Sequence, residues 1–511
     1  MDLSAGQQLL NGFAVALQPA NLAFGFIGVV LGTLIGVLPG IGPAGAIAAL
    51  LPFTYGMDVT TSLIMLSGIF YGSMYGGSTT SILINVPGEA ASMVTTLDGY
   101  KMARKGRAGA ALAISAIASW IAGTLGVVGL TFVAIPLADA AVRFGPPEYF
   151  SLTVLGLFAA AYLGGKSVLK GMAMVVLGLL LSTVGIDIIT GSARFSYGIQ
   201  ELWGGLELIA ILIGLFGVAE ILALLEERVE LDVLKAKLRL RDLWPTRREL
   251  KASAAPIGRG SLLGFLVGML PSGGPFIASF LSYAMEKKLS KHPERFGTGE
   301  IEGVAGPEAA NNSATAGAMV PLMILGIPFS AITAIMLGAL ILHGLQPGPQ
   351  MMARQPEFFW GVVASMYIGN AICLVLNLPL VGLWVSLLRI PVTRLIPLIL
   401  LFCVVGVYSL NSRAFDLWVM VIAGIAGYLL RRAGFPAAPL VLALVLGRIM
   451  ENSLRQSLLI SSGDPLIFLT RPMSGALVLV ALAILALPLV GLLRKRRGAD
   501  LVPGVEPPRD I

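Results

Sequence analysis

Gly36-Val-Leu-Pro39-Gly-Ile-Gly-Pro43 recurs 232 residues later as Gly268-Met-Leu-Pro271-Ser-Gly-Gly-Pro275. Both copies interrupt long apolar stretches. Proline cannot donate to a helix ladder, and glycine is a poor helix former. Each octapeptide therefore predicts a broken helix. Non-helical backbone at membrane depth is tolerated only where protein buries it or where it lines a polar cavity. Two such breaks at matching positions in two halves of a chain are the pattern of a secondary transporter.

The rest of the chain fits a membrane setting. Of 511 residues, 56% are hydrophobic and only 12% are charged. Mean hydropathy is +0.86. The charged share is about half that of a soluble globular protein and cannot cover a surface of this size. Disorder is excluded by the apolar content, and a β-barrel by long continuous apolar runs where short alternating strands would be needed. The expected fold is an all-α polytopic membrane protein with about 10–13 transmembrane segments. It comprises two related halves, an inverted repeat, with broken or re-entrant helices. The 62 Gly and 30 Pro residues make up about 18% of the chain, in keeping with close helix packing and with functional breaks.

The net charge of +7 is distributed unevenly. The first 100 residues hold no Lys or Arg. Basic clusters follow at Lys101 to Arg107, Arg228 to Arg259, Lys287 to Arg295 and Arg494 to Arg497. The positive-inside rule assigns these clusters to the cytoplasm and the N-terminus to the exterior. It also accounts for the charge without nucleic acid. The N-terminus has no basic n-region, so it does not read as a cleaved signal peptide. The expected organisation is a first transmembrane repeat over 1–225, a cytoplasmic connector over 226–258, a second repeat over 259–497 and a disordered tail over 498–511. The span count between basic clusters is consistent from 107 to 228 and becomes odd between 295 and 389. A re-entrant hairpin resolves the parity, but hydropathy does not locate it.

A helix start carries free N–H groups and about half a positive charge, which suits anions. Pro39, Gly40 and Pro43, with Pro271, Ser272, Gly273, Gly274 and Pro275, are therefore candidates for holding a carboxylate. A small polar cluster follows each break, and the order of parts makes the second the expected counterpart of the first. The first set is Gly76-Gly-Ser78-Thr79-Thr80-Ser81, ahead of Asn85-Val-Pro87-Gly88. The second is Asn311-Asn312-Ser313-Ala-Thr315, ahead of Gly326-Ile-Pro328. Ser78, Thr79, Thr80, Asn311, Asn312 and Ser313 are substrate-binding candidates. The competing reading for each is ordinary interhelical hydrogen bonding. Asn85, Glu89, Glu308 and Thr315 are coupling-ion candidates, because oxygen donors suit Na⁺ and an acid in an apolar region needs a partner or a role. Glu89 and Glu308 are expected at a cavity rim. Glu220 and Glu451 are weighed against plain ion pairing, with Arg448 the expected partner of Glu451.

No nucleotide-binding, zinc-hydrolase or serine-hydrolase motif occurs, so the chain does not read as an enzyme and needs no cofactor beyond a coupling cation, Na⁺ being the first choice. His292 and His343 are too scattered for a metal site, and Cys373 and Cys403 lie in apolar runs as buried thiols. A stand-alone ion channel is the alternative, as is a transporter that works without a binding protein. Duplicated halves within one chain favour a transporter.

Longer motifs carry a family resemblance. Gly36 to Pro43, the run from Tyr75 to Gly88, and Phe296-Gly-Thr-Gly-Glu-Ile-Glu-Gly-Val-Ala-Gly-Pro-Glu-Ala-Ala-Asn-Asn312 closely resemble the large membrane subunit of tripartite tricarboxylate transporters, the TctA family. The likeness runs over nearly the whole chain, including Pro147-Glu148-Tyr149-Phe150. It implies a multi-pass permease of the bacterial inner membrane. Its partners would be a small membrane subunit and a periplasmic solute-binding protein that captures a carboxylate such as citrate. A cation gradient would drive uptake. A separate binding protein would also explain why no Arg clamp naming a substrate is evident in the sequence.

Overall fold

The computed structural model describes residues 5–38, 42–165, 167–187, 189–226, 243–271, 274–345, 347–387 and 396–499. The principal helices are α1 (Ala5–Ala16), α2 (Pro19–Val37), α3 (Gly42–Leu50), α4 (Val59–Ile84), α5 (Ala108–Ala141), α6 (Pro146–Leu163), α7 (Val168–Ser182) and α8 (Leu208–Glu226). They continue with α9 (Arg247–Gly268), α10 (Gly274–Leu289), α11 (Glu302–Val320), α12 (Ala331–Leu342), α13 (Pro356–Asn377), α14 (Ile396–Asn411), α15 (Ala414–Arg432), α16 (Ala437–Ile460) and α17 (Pro472–Ala499). The only sheet among the described residues is a two-residue ribbon pairing Gly185–Ile186 with Ala193–Arg194. The chain is an all-α polytopic membrane protein.

Six described helical stretches are long and apolar enough to cross a bilayer: Pro19–Val37, Ala103–Ala141, Leu208–Glu226, Pro356–Asn377, Ala414–Arg432 and Ala437–Ile460. Shorter apolar helices accompany them, among them Gly42–Thr54 and Val168–Ser182. Helix α4 has 26 residues but is not among the six. Its sequence is rich in Ser, Thr and Gly, and every residue from Thr61 to Ile84 is buried. Residues 303 to 320 of α11 are likewise all buried. A helix buried on every face belongs to the middle of a bundle, and its neighbours supply the apolar exterior.

Both octapeptides interrupt helices. α2 ends at Val37, Leu38 turns to extended backbone, and α3 begins at Gly42. α9 ends at Gly268 and α10 begins at Gly274. Pro39, Gly40, Ser272 and Gly273 lie outside the described residues. Pro43 and Pro275 each sit one residue into the new helix, where the missing N–H has no ladder partner to lose.

Glycines set the packing around both breaks. A Cβ on Gly28, Gly32 or Gly36 would lie 2.2, 2.5 or 2.2 Å from the carbonyl oxygen of Met65, Ile69 or Ser73. A Cβ on Gly260, Gly264 or Gly268 would lie 2.4, 2.2 or 2.3 Å from that of Gly306, Ala310 or Ala314. The second set repeats the first, shifted by 232 residues on one helix and 241 on the other. Only glycine permits backbones this close. Residue numbers rise together across both contacts, so α2 runs parallel to α4 and α9 parallel to α11. The intervening helix must therefore reverse direction. α10 does so: Ser279 donates to the Pro307 carbonyl at 3.3 Å, while Gly303, further back along α11, packs against Tyr283, further along α10.

The correspondence continues at the helix ends. Asn85 closes α4 in the left-handed conformation (φ 57°), and Gly326 does so 241 residues later (φ 71°). Asn and Gly are the residues that tolerate this geometry. Pro87 and Pro328 follow, and then Glu89 and Ser330, each capping a new helical turn. The same register corrects one expectation: Ser78 aligns with Met319, and Asn311 with Phe70. The two polar sets are not positional counterparts; each half contributes its own at a different height.

Candidate functional site

Glu308 is 1% exposed on the central helix α11. Its carboxylate accepts 2.8 Å hydrogen bonds at both oxygens from the Ser78 hydroxyl of α4. Thr95 and Ser119 donate to it as well, the latter at 3.3 Å. Ser115, one turn before Ser119 on α5, is buried close by and adds another hydroxyl to the surroundings of Glu308. The Asn312 amide donates to Ser119 at 2.7 Å and to the Glu308 carbonyl at 3.1 Å. A second carboxylate lies alongside: Glu89, 7% exposed, accepts from Asn311 at 3.4 Å. Elements from both broken-helix units thus converge on one polar cluster.

Three properties of this cluster matter chemically. Neither Glu89 nor Glu308 has a described Lys or Arg within ion-pair distance. The amide oxygens of Asn311 and Asn312 are buried without a hydrogen-bond partner among the described residues. Among the described residues, every side chain that donates a hydrogen bond to the Glu308 carboxylate is a hydroxyl. An isolated buried carboxylate is costly, by several kcal/mol in real proteins. It is stabilised either by a proton or by a cation. Carboxylate, amide and hydroxyl oxygens together form a hard donor set.

Other expected residues fall elsewhere. Thr80 and Ser81 donate to the Gly77 carbonyl of their own helix, at 2.8 and 3.0 Å, and Thr79 is buried next to them. Ser313 bonds the Ser261 carbonyl at 2.6 Å, which is interhelical packing between α9 and α11. Thr315 bonds back to Asn311 at 3.0 Å. Asn85 is an exposed helix end outside the cluster. Pro271 and Gly274 flank the second break, half-buried. Glu89 and Glu308, expected at a rim, are interior groups, because the turn 87–89 folds inward. A Cβ on Gly88 would lie 2.0 Å from the Gly36 carbonyl, and Gly77 lies against Glu89. That turn joins the first break to the cluster.

Glu220 and Glu451, the two other acids singled out from the sequence, are in ion pairs. Glu220 meets Arg431. Glu451 meets Arg194 at 2.7 Å and Arg455 at 2.6 Å; Arg448, its expected partner, bonds the Gly204 carbonyl instead. Helical spacing favours the i, i+4 Arg455 over the i, i+3 Arg448, and the ribbon delivers Arg194 from the sequence-distant side.

Sequence reading missed Thr95, Ser115, Ser119 and Asp98. Two lone hydroxyls one turn apart in an Ala- and Ile-rich helix were a usable signal. Asp98 is fully buried and accepts the backbone N–H groups of Gly297, Gly299 and Glu300 at 2.7–2.9 Å, together with the Tyr283 hydroxyl at 2.9 Å. Gly297 (φ 83°) and Gly299 (φ 107°) curl the chain around it, a geometry that requires glycine. The Phe296-Gly-Thr-Gly-Glu300 motif is therefore a carboxylate nest that fixes the start of α11.

Comparison with known proteins agrees with this architecture. Residues 22–442 match the family described as tripartite tricarboxylate transporter TctA family. The chain is 50% identical, over 97% of its length and 98% of the relative's, to an uncharacterized 52.8 kDa protein in the TAR-I ttuC' 3' region of Agrobacterium vitis. It is 47% identical, over 46% of its length and 97% of the relative's, to a protein in the TAR-II ttuC' 3' region of the same organism. No solved structure matches. Broken helices, buried polar centre and matched sequence lead to one statement: the chain belongs to the TctA family of the tripartite tricarboxylate transporters.

Proposed function

We propose that this protein is the permease subunit of a binding-protein-dependent secondary transporter that imports di- or tricarboxylates across the bacterial inner membrane, driven by a Na⁺ or H⁺ gradient. Its partners are the small membrane subunit, a periplasmic solute-binding protein, the carboxylate and the surrounding lipid. The observation that carries the coupling is Glu308: a buried carboxylate without a basic partner, ringed by hydroxyls, with two orphaned amide oxygens nearby. A proton or Na⁺ arriving there removes the cost of the lone charge. Glu308, Asn311, Asn312 and Ser78 hold the cation, with Glu89 as neighbour. The helix starts at Pro43 and Pro275 offer N–H groups to the carboxylate.

The basic clusters support an inverted arrangement of two halves, 1–225 and 259–497, joined through 226–258 and followed by the tail 498–511. α9 starts at Arg247 and α10 ends near Lys287 and Lys288, so the α9–α10 hairpin enters from the cytoplasm. The α2–α3 hairpin, in the stretch without Lys or Arg, enters from outside. Opposed hairpins meeting near a midplane site are the inverted-repeat design.

The test is reconstitution with the small subunit and a cognate binding protein in proteoliposomes. Concentrative, cation-dependent citrate or other carboxylate uptake that requires the binding protein is the expected result. Equal uptake without the binding protein would overturn the tripartite reading. Flux that never exceeds equilibrium under a cation gradient would overturn coupling.

A further inference from the structure

A cavity of about 190 Å³ lies away from the Glu308 cluster, where the end of α7 and the loop 183–207 meet α16. It is lined by Asp187, Arg194, Gly204, Arg448, Glu451 and Asn452, among others. Four charges there are mutually satisfied. Asp187 takes both terminal nitrogens of Arg455, at 3.0 and 2.9 Å. Glu451 takes both of Arg194, at 2.7 and 3.3 Å, and also Arg455. Hydrogen bonding from Arg455 holds the Asp187 carboxyl well below the usual carboxylate range. These four groups sum to zero.

Arg448 is the fifth charge. Among the described residues it has no carboxylate within ion-pair distance, and its one hydrogen bond is to the Gly204 carbonyl at 3.3 Å. A guanidinium has five donors, so most of its fork is left to groups from outside the described protein. The exposed Arg448 side chain reaches over Gly205, in the left-handed region at φ 88°, where a Cβ would come within 2.5 Å of a terminal guanidinium nitrogen. The Arg194 Nε is also buried without a partner. The cavity exceeds by far the roughly 10–15 Å³ one water needs.

We propose that this cavity is a binding site for a small carboxylate anion, one carboxylate group of which is held by the Arg448 fork with the Asn452 amide beside it. The flat Arg448 fork matches the planar, two-oxygen geometry of one carboxylate group. Phosphate is tetrahedral and serves as the comparison anion. The closed square of Asp187, Arg455, Glu451 and Arg194 keeps the two acids from competing for Arg448. On the sidedness proposed above, loop 183–207 is external, so the site stands at the outer mouth as a first stop for substrate. That placement rests on the proposed function; the anion site itself does not.

The test uses the purified full chain in detergent, with citrate, succinate and inorganic phosphate as probes at constant ionic strength, read by calorimetry and thermal shift. Saturable citrate or succinate binding is expected. Arg448→Gln should weaken it roughly tenfold or more, and Arg448→Lys should retain part of it. Asn452→Asp, which places a competing negative charge beside the fork, should weaken it too and serves if Arg448→Gln fails to fold. Glu308→Gln should leave this binding unchanged, so loss of transport and loss of this site are separable. Binding that is indifferent to Arg448→Gln and Asn452→Asp, no binding at all, or phosphate binding tighter than citrate would each overturn the proposal.

Discussion

The Ser78 hydroxyl of α4 donates to both oxygens of the Glu308 carboxylate of α11, at 2.8 Å, across 230 residues of sequence. This one bond joins the two broken-helix units at a point where neither supplies a positive charge. Removing it should therefore be felt in cation binding before it is felt in folding. A hydrogen bond to a charged group contributes about 1.5–3 kcal/mol. Ser78→Ala should raise the cation concentration needed for half-maximal uptake about tenfold or more. Thr80→Ala, whose hydroxyl serves only the Gly77 carbonyl, should behave as wild type. Equal effects of the two substitutions would argue that Ser78 is merely packing.

Glycine spacing makes a second prediction. Gly264 faces the Ala310 carbonyl with no room for a Cβ, whereas Gly258 on the same helix has open space. Overpacking costs typically 1–3 kcal/mol. Gly264→Ala should lower the thermal midpoint of the solubilised protein by several degrees, and Gly258→Ala should not. Fluorescence-detected size exclusion after heating reads both. The first-half equivalent, Gly32→Ala, should match Gly264→Ala, because the same contact recurs there.

Asp98 yields a third. Its carboxylate holds three backbone N–H groups at the entry to α11. Asp98→Asn keeps the size and removes the charge, and one of the new amide's two ends donates where acceptors are needed. The loop around Arg295 should then become sensitive to trypsin under native conditions. Limited proteolysis, followed by mass analysis of the fragments, measures it. An unchanged digestion pattern would contradict the nest as the element that fixes this loop.

Much of this architecture was readable before any coordinates. Pro39, Pro43, Pro271 and Pro275 announced both interruptions because proline acts on its own backbone, without tertiary help. The glycines at 28, 32 and 36, and at 260, 264 and 268, stand in the sequence, but which carbonyls they face is visible only in the packed structure. What stayed hidden was relational. Thr95, Ser115 and Ser119 matter only because Glu308 sits between them, and nothing in a linear sequence says which hydroxyls converge. The pairing of the 76–81 and 311–315 clusters failed for the same reason. Similar composition after each break suggested equivalence, while the glycine contacts fix a register in which Asn311 aligns with Phe70. Glu451 was matched to its sequence neighbour Arg448, but tertiary packing brought Arg194 to it instead.

On the function proposed above, Glu308 is the group at which the driving cation is sensed. The direct measurement is carboxylate accumulation in proteoliposomes holding all three components, for wild type and Glu308→Gln, under an imposed Na⁺ or H⁺ gradient. Glutamine preserves the volume and can still accept from Ser78, so the cluster should persist, as an unchanged thermal midpoint would verify. Glu308→Gln should lose gradient-driven accumulation while retaining substrate exchange at equilibrium. Accumulation equal to wild type, with the same cation dependence, would contradict it.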